Sequence, residues 1–175
     1  MTLIEKAAHF AENAHGSINQ KRKYSGLPYF VHCEQVANIV RQAGGTDEMI
    51  AAAYLHDTVE DTSVTQEDIL REFGPDVASL VEMLTDVSKK EDGNRRTRKQ
   101  IDLNHTAQAS AEGKTIKLAD LIANAPDIAK NDPAFGKVFL YEKQALMKVL
   151  VGGDAGLYQR AMDILNQCKK DLGLK

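Results

Sequence analysis

The chain has no tryptophan, two cysteines and four prolines among its 175 residues. Cys33 and Cys168 stand too far apart and too alone to be the framework of a small disulfide-stapled domain; they read as buried free thiols in a reducing compartment. No apolar run reaches the ~18 residues a membrane span requires. The opening Met1-Thr2-Leu3-Ile4-Glu5-Lys6 does not have the layout of a secretory leader. Charge of one sign does not predominate either: the formal net charge is −3, which excludes a global field that would gather nucleic acid or an anionic membrane. An anionic ligand must therefore meet a local basic cluster or a metal. Alternating strands, hairpin turns, repeats and low-complexity segments are missing too. The expectation is a soluble, cytoplasmic protein.

What is present is helical punctuation. Hydrophobic residues amount to 43%, enough for a core in one domain of this length. Thr2 and Glu5 have capping-box spacing and predict a helix through Ala14, followed by a loop over 16–28 broken by Gly16, Gly26 and Pro28. Val31, Val36, Ile39 and Val40 mark a second helix, stopped by Gly44-Gly45. A third starts near Thr46 and carries Ile50, Ala53, Tyr54 and a His-Asp pair. Thr65 to Asp68 caps a short helix ending at Gly74, and Pro75 opens the next. A charged loop over 88–100 leads into a helix from about Arg95 to Ser110, and an apolar stripe then runs from Lys114 to Asn124. Pro126 and Pro133 bracket a turn region, and helices over 134–151 and 155–171 close the chain. The expectation is an all-α fold, one helical bundle over residues 1–175.

The run His56-Asp57-Thr58-Val59-Glu60-Asp61-Thr62 follows the apolar stretch Met49-Ile50-Ala51-Ala52-Ala53-Tyr54-Leu55. Carboxylates at the end of a buried helix need a partner, because an unpaired buried charge is very costly. A divalent cation satisfies His and Asp together. Four residues on or beside apolar helices stand out as ligands: His32, His56, Asp57 and Asp120. Nitrogen and oxygen donors without a thiolate suit Mn²⁺, Fe²⁺, Co²⁺ or Mg²⁺, and not a structural zinc site. His9, His15 and His105 read as ordinary core or surface residues.

These segments, in order, resemble the HD-domain phosphohydrolases, and more closely the hydrolase domain of the RelA/SpoT-like alarmone enzymes and their small stand-alone relatives. The resemblance runs from Ala7 to about Ile128. It is carried by Ala8-His9-Phe10-Ala11-Glu12-Asn13-Ala14-His15, by Arg22-Lys23-Tyr24-Ser25-Gly26-Leu27-Pro28-Tyr29-Phe30-Val31-His32 and by Leu55-His56-Asp57-Thr58-Val59-Glu60-Asp61-Thr62. Phe73-Gly74-Pro75-Asp76-Val77, Leu84-Thr85-Asp86 and Lys117-Leu118-Ala119-Asp120-Leu121-Ile122-Ala123-Asn124 follow. The resemblance implies that His32, His56, Asp57 and Asp120 bind one Mn²⁺ and that Glu60 and Asp61 are the catalytic acids. It implies a guanosine tetra- or pentaphosphate substrate cleaved at its 3′ end, with Arg22, Lys23 and Asn124 contacting the nucleotide. Two positions depart from the family pattern. The loop Gly16-Ser17-Ile18-Asn19-Gln20-Lys21 is longer than usual, and Pro126 stands where the family commonly has an arginine.

Read from the residues alone, a helix continuing past Asp57 places Glu60 and Asp61 one turn on, on the same side. There they can orient or deprotonate a water, and like-charge repulsion should raise at least one carboxylate pKa. Arg95 and Lys99 share a helical face and offer a phosphate clamp. Tyr24 and Tyr29 offer a stacking surface for a purine or ordinary packing. Two other readings stand beside the alarmone hydrolase: an HD phosphohydrolase for another phosphorylated nucleotide, and a catalytically silent nucleotide sensor.

Overall fold

Side-chain caps set where the helices begin. In the computed structural model, which describes residues 1–175, the Thr2 hydroxyl accepts from the Glu5 amide, and the Glu5 carboxylate accepts from the Thr2 amide. Thr46, Thr65, Asn94, Ser110, Asp132 and Asp154 also cap later helices, each accepting a backbone amide of the first turn, and at Thr65 the box is again reciprocal. The fold is all-α, as the patterning predicts: ten α-helices, a 3-10 turn at Lys90–Asp92, and no strand beyond an isolated bridge between Lys21 and Pro28. No helix is long and apolar enough to cross a membrane. The chain divides into two compact units, Met1–Thr85 and Asp86–Lys175.

The first unit holds α1 (Leu3–Ser17), α2 (Phe30–Gln42), α3 (Asp47–Leu55), α4 (Thr58–Asp61), α5 (Gln66–Phe73) and α6 (Pro75–Leu84). Its centre is α3, in which every residue from Met49 to Leu55 is buried. A helix apolar all round must be packed on several sides, and α1, α2 and α6 lie against it. The turn between α2 and α3 requires its two glycines. Gly44 has φ +83°, and a Cβ on Gly45 would meet Val40 Cγ1 at 2.5 Å. Cys33 is buried and forms no disulfide, as expected, and the same holds for Cys168 in the second unit.

Two boundaries in this unit differ from the sequence expectation. The first helix runs on through Gly16 to Ser17. The third helix does not carry the His-Asp pair: it ends at Leu55, His56 is its C-cap, and Asp57 (φ −103°, ψ −1°) starts a separate single turn, α4. The Thr58 hydroxyl donates to the Leu55 carbonyl at 2.8 Å and so occupies an acceptor at the end of α3.

The second unit holds α7 (Arg95–Ala107), α8 (Ala111–Asn131), α9 (Pro133–Val149) and α10 (Ala155–Asp171). Buried Asp102 ties the preceding segment to α7, accepting from the Val87 and Ser88 amides and the Ser88 hydroxyl. The central element is α8, which packs on α9 and α10 through a face including Ile116, Leu118, Leu121, Ile122 and Ala125. Here the expected turn at Pro126 is absent, because α8 continues to Asn131 with Pro126 inside it. An internal proline loses one backbone hydrogen bond and costs about 3 kcal/mol. Pro126 lies on the exposed face, while Ile122, Ala125 and Ala129 remain buried on the other and keep the chain helical through it.

Candidate metal centre

The break after Leu55 aims the site. His56 Nδ1 lies 2.6 Å from the Ala53 carbonyl, which can only accept, so that nitrogen carries the proton. Nε2 is then the lone-pair nitrogen, and it faces Asp57 Oδ2 at 3.0 Å. His32, in the first turn of α2 and fully buried, brings its Nε2 to 3.6 Å from the same oxygen. The two imidazole rings stand edge to face with centroids 5.3 Å apart. Each of the three residues offers one ligand atom, and these atoms lie within 4.8 Å of one another. A lone-pair nitrogen held against a carboxylate oxygen calls for a cation beside them. The donors, two imidazoles and a carboxylate without sulfur, fit a borderline or hard divalent ion.

Tyr29 supports this cluster from behind. Its hydroxyl donates to Asp57 Oδ2 at 2.6 Å, and its ring lies 4.9 Å from His15 and 5.5 Å from His32. Of its two sequence readings the structure shows packing, with a hydroxyl bond that the sequence did not announce. Groups that orient metal ligands typically contribute 10–100-fold to affinity or activity. Tyr29→Phe is therefore expected to weaken divalent-ion binding by about 10-fold with the helix content unchanged. Metal titration of the stripped protein checks this, and an unaltered dissociation constant removes Tyr29 from that role.

Glu60 and Asp61 lie on α4, with the Asp61 amide bonded to the Asp57 carbonyl at 3.0 Å. Although Asp61 reaches solvent, burial by its neighbours pushes its carboxyl pKa up, and the Asp57 charge adds to the rise. A hydrogen bond from Gln20 opposes it. The expected upward shift is present, with like-charge repulsion as the second cause and desolvation as the first. Gln20 and His15 are neighbours of the acid pair that the sequence reading passed over. The only signal was His15 on the apolar side of α1, where a helical histidine is ordinarily just core.

Arg22 and Lys23 lie in the connection between α1 and α2, a loop closed by Arg22 N to Leu27 O at 2.7 Å and Gly26 N to Arg22 O at 3.0 Å. Arg22 is half-buried, and exposed Lys23 sits 5.4 Å over the Tyr24 ring. In the second unit, half-buried Asp120 and Asn124 are one turn apart on α8, with Asn124 Nδ2 donating to Asp120 Oδ1 at 3.0 Å. Lys143 on α9 is a perturbed group that the sequence did not suggest. Burial first, then the charge of Lys117, pushes its ammonium pKa down to about 8, against the pull of Asp120. Arg95 is committed elsewhere than the proposed clamp. It grips Glu142 through two nitrogens at 2.9 and 3.2 Å and lies 5.3 Å over the Phe135 ring.

Comparison with known families decides the ancestry. The family described as HD domain matches residues 7–144. The chain belongs to the HD-domain family. The span matched takes in every candidate site residue of this HD-domain protein, from Arg22 to Asn124. Among its relatives is guanosine-3′,5′-bis(diphosphate) 3′-pyrophosphohydrolase MESH1 of Xenopus tropicalis, 38% identical over 134 residues, which cover 75% of this chain and 72% of that protein. The Drosophila melanogaster protein of the same name is 41% identical over 108 residues, covering 61% of this chain and 59% of that one. The solved structure of a metazoan ortholog of SpoT, described as hydrolysing ppGpp, superposes with a TM-score of 0.84 at 28% identity, covering 95% of this chain and 96% of the other.

Proposed function

We propose that this HD-domain protein is a divalent-metal-dependent pyrophosphohydrolase. It removes the 3′-pyrophosphate of guanosine tetra- or pentaphosphate and yields GDP or GTP and pyrophosphate. The observation that carries the reading is the convergence of His32, His56 and Asp57, with two further acids one turn on. The names of the Xenopus and Drosophila relatives and of the structural neighbour support the substrate. The fourth ligand proposed is Asp120, which would make the set two imidazoles and two carboxylates. Mn²⁺ is the proposed occupant, and residues 1–175 are read as one hydrolase domain acting in the cytoplasm on a small nucleotide, not on nucleic acid.

A divalent cation held there lowers the pKa of a coordinated water and shields charge on a phosphoryl oxygen. The chain does the rest. Glu60 takes a proton from the attacking water, leaving its oxygen the electron pair that attacks phosphorus, and Asp61 helps to set its direction. Asn124 orients Asp120 through its amide, and Tyr29 orients Asp57 through its hydroxyl. Arg22 and Lys23 are the proposed contacts for the nucleotide and its phosphates.

Incubating the Mn²⁺-loaded protein with a nucleotide panel tests the reading. Pyrophosphate and GDP from guanosine tetraphosphate are expected. Pro126 gives a specific reason to include other nucleotides, since it cannot supply the guanidinium that the family commonly carries at this position. Release of phosphate from those alone would assign the chain to another phosphorylated nucleotide. No turnover of any member would leave the nucleotide-sensor reading.

A further inference from the structure

We propose that Gln20 is a positioning residue for hydrolysis, holding the Asp61 carboxylate in its working orientation with buried His15 as its anchor. This rests on Asp61 being one of the two catalytic acids.

The contact is a chain of two hydrogen bonds. Gln20 Nε2 donates to Asp61 Oδ2 at 3.1 Å, and Gln20 Oε1 lies 2.8 Å from His15 Nδ1. Its direction follows from the partners. A carboxylate can only accept, so the amide nitrogen faces Asp61 and the amide oxygen faces the ring, which must then carry its proton on Nδ1. Turning the amide over would set its oxygen against the carboxylate. The Asp61 carboxylate receives no other side-chain hydrogen bond, and α4 is a single turn with little rigidity of its own.

Three features show that Gln20 is held in place. Its backbone is pinned on both sides, Gln20 N to His15 O at 3.1 Å and Tyr29 N to Gln20 O at 3.0 Å. The preceding residue, Asn19, has φ +51°, the one non-glycine left-handed residue in the chain, and it bends the loop back toward α1. His15 is 1% exposed, and its Nε2 is buried without a hydrogen-bond partner. An aliphatic side chain would fill that space without leaving a polar atom unsatisfied. What the imidazole supplies is the bond to Gln20, and its ring also packs at a tilt against Tyr29, whose hydroxyl holds Asp57. His15 therefore backs a proposed ligand and a proposed acid at once. The longer loop over 16–21 is the segment that delivers Gln20 to this position.

Gln20→Met keeps the length of the side chain and removes both hydrogen bonds. Gln20→Glu keeps the acceptor toward His15 and removes the donor toward Asp61. Both are expected to lower kcat about 10–100-fold, with KM, Mn²⁺ affinity and melting temperature close to the parent. The deciding readout is a double-mutant cycle: in an Asp61→Ala background, Gln20→Met should cost nothing further. Full turnover in both Gln20 variants, beside an impaired Asp61→Ala, overturns the proposal and leaves the assignment of Asp61 standing. An undiminished effect of Gln20→Met in the Asp61→Ala background also overturns it, since Gln20 would then act through the fold. Normal turnover by Asp61→Ala itself overturns the acid assignment, and this inference with it. All rates are measured on the nucleotide that the panel shows to be hydrolysed.

Discussion

Replacing Asp57 with alanine is expected to abolish both divalent-metal binding and hydrolysis. Three groups meet on one oxygen of this residue: His56 Nε2 at 3.0 Å, His32 Nε2 at 3.6 Å and the Tyr29 hydroxyl at 2.6 Å. Removing it deletes a proposed ligand and also the negative charge that makes a cation favourable beside two buried imidazoles. Asn at the same position keeps the shape and one oxygen but loses the charge, and should bind metal weakly. Metal content after equilibrium dialysis, measured together with turnover, checks the pair of outcomes. An Asp57→Ala protein that still holds one equivalent of Mn²⁺ is incompatible with the ligand role. The fold should survive, because Asp57 lies between two helices and the core of α3 ends before it.

Replacing Glu60 with alanine should separate chemistry from metal binding. General acid–base groups typically contribute 10²–10⁴-fold, so kcat is expected to fall by about two to four orders of magnitude. Glu60 is exposed on α4, where substitutions ordinarily change stability by less than about 0.5 kcal/mol. Metal stoichiometry and melting temperature should therefore match the parent. Single-turnover measurement with saturating nucleotide isolates the chemical step from binding. Parent-like turnover in this variant would move the acid–base role away from Glu60, and Asp61 would be the next residue to test.

Much of the architecture is legible in local sequence because its causes are local. A threonine three residues before an acid, a proline at a first helical position or a glycine pair after an apolar stripe each acts over a single turn. The helix ends at Gln42 and Phe73 and the start at Pro75 follow from such signals. Pro126 misleads because its effect is decided elsewhere: packing of α8 against α9 and α10 outweighs the lost hydrogen bond. The end of α3 at Leu55 is hidden for a similar reason. Helical spacing alone lets the helix continue, whereas the Thr58 hydroxyl and the backbone of Asp57 divert it.

Of the site, the sequence by itself determined the chemistry: adjacent His and Asp, spare acids three and four residues on, and donors without sulfur for a hard divalent ion. Only the tertiary structure decided which side chains stand behind them. Tyr29 reaches Asp57 across 28 positions and Gln20 reaches Asp61 across 41. A hydrogen bond between residues so far apart depends on how α1, α2 and α3 pack, and no periodicity along the chain encodes it. That packing turns an unremarked glutamine and an apparently ordinary core histidine into supports for the acid pair.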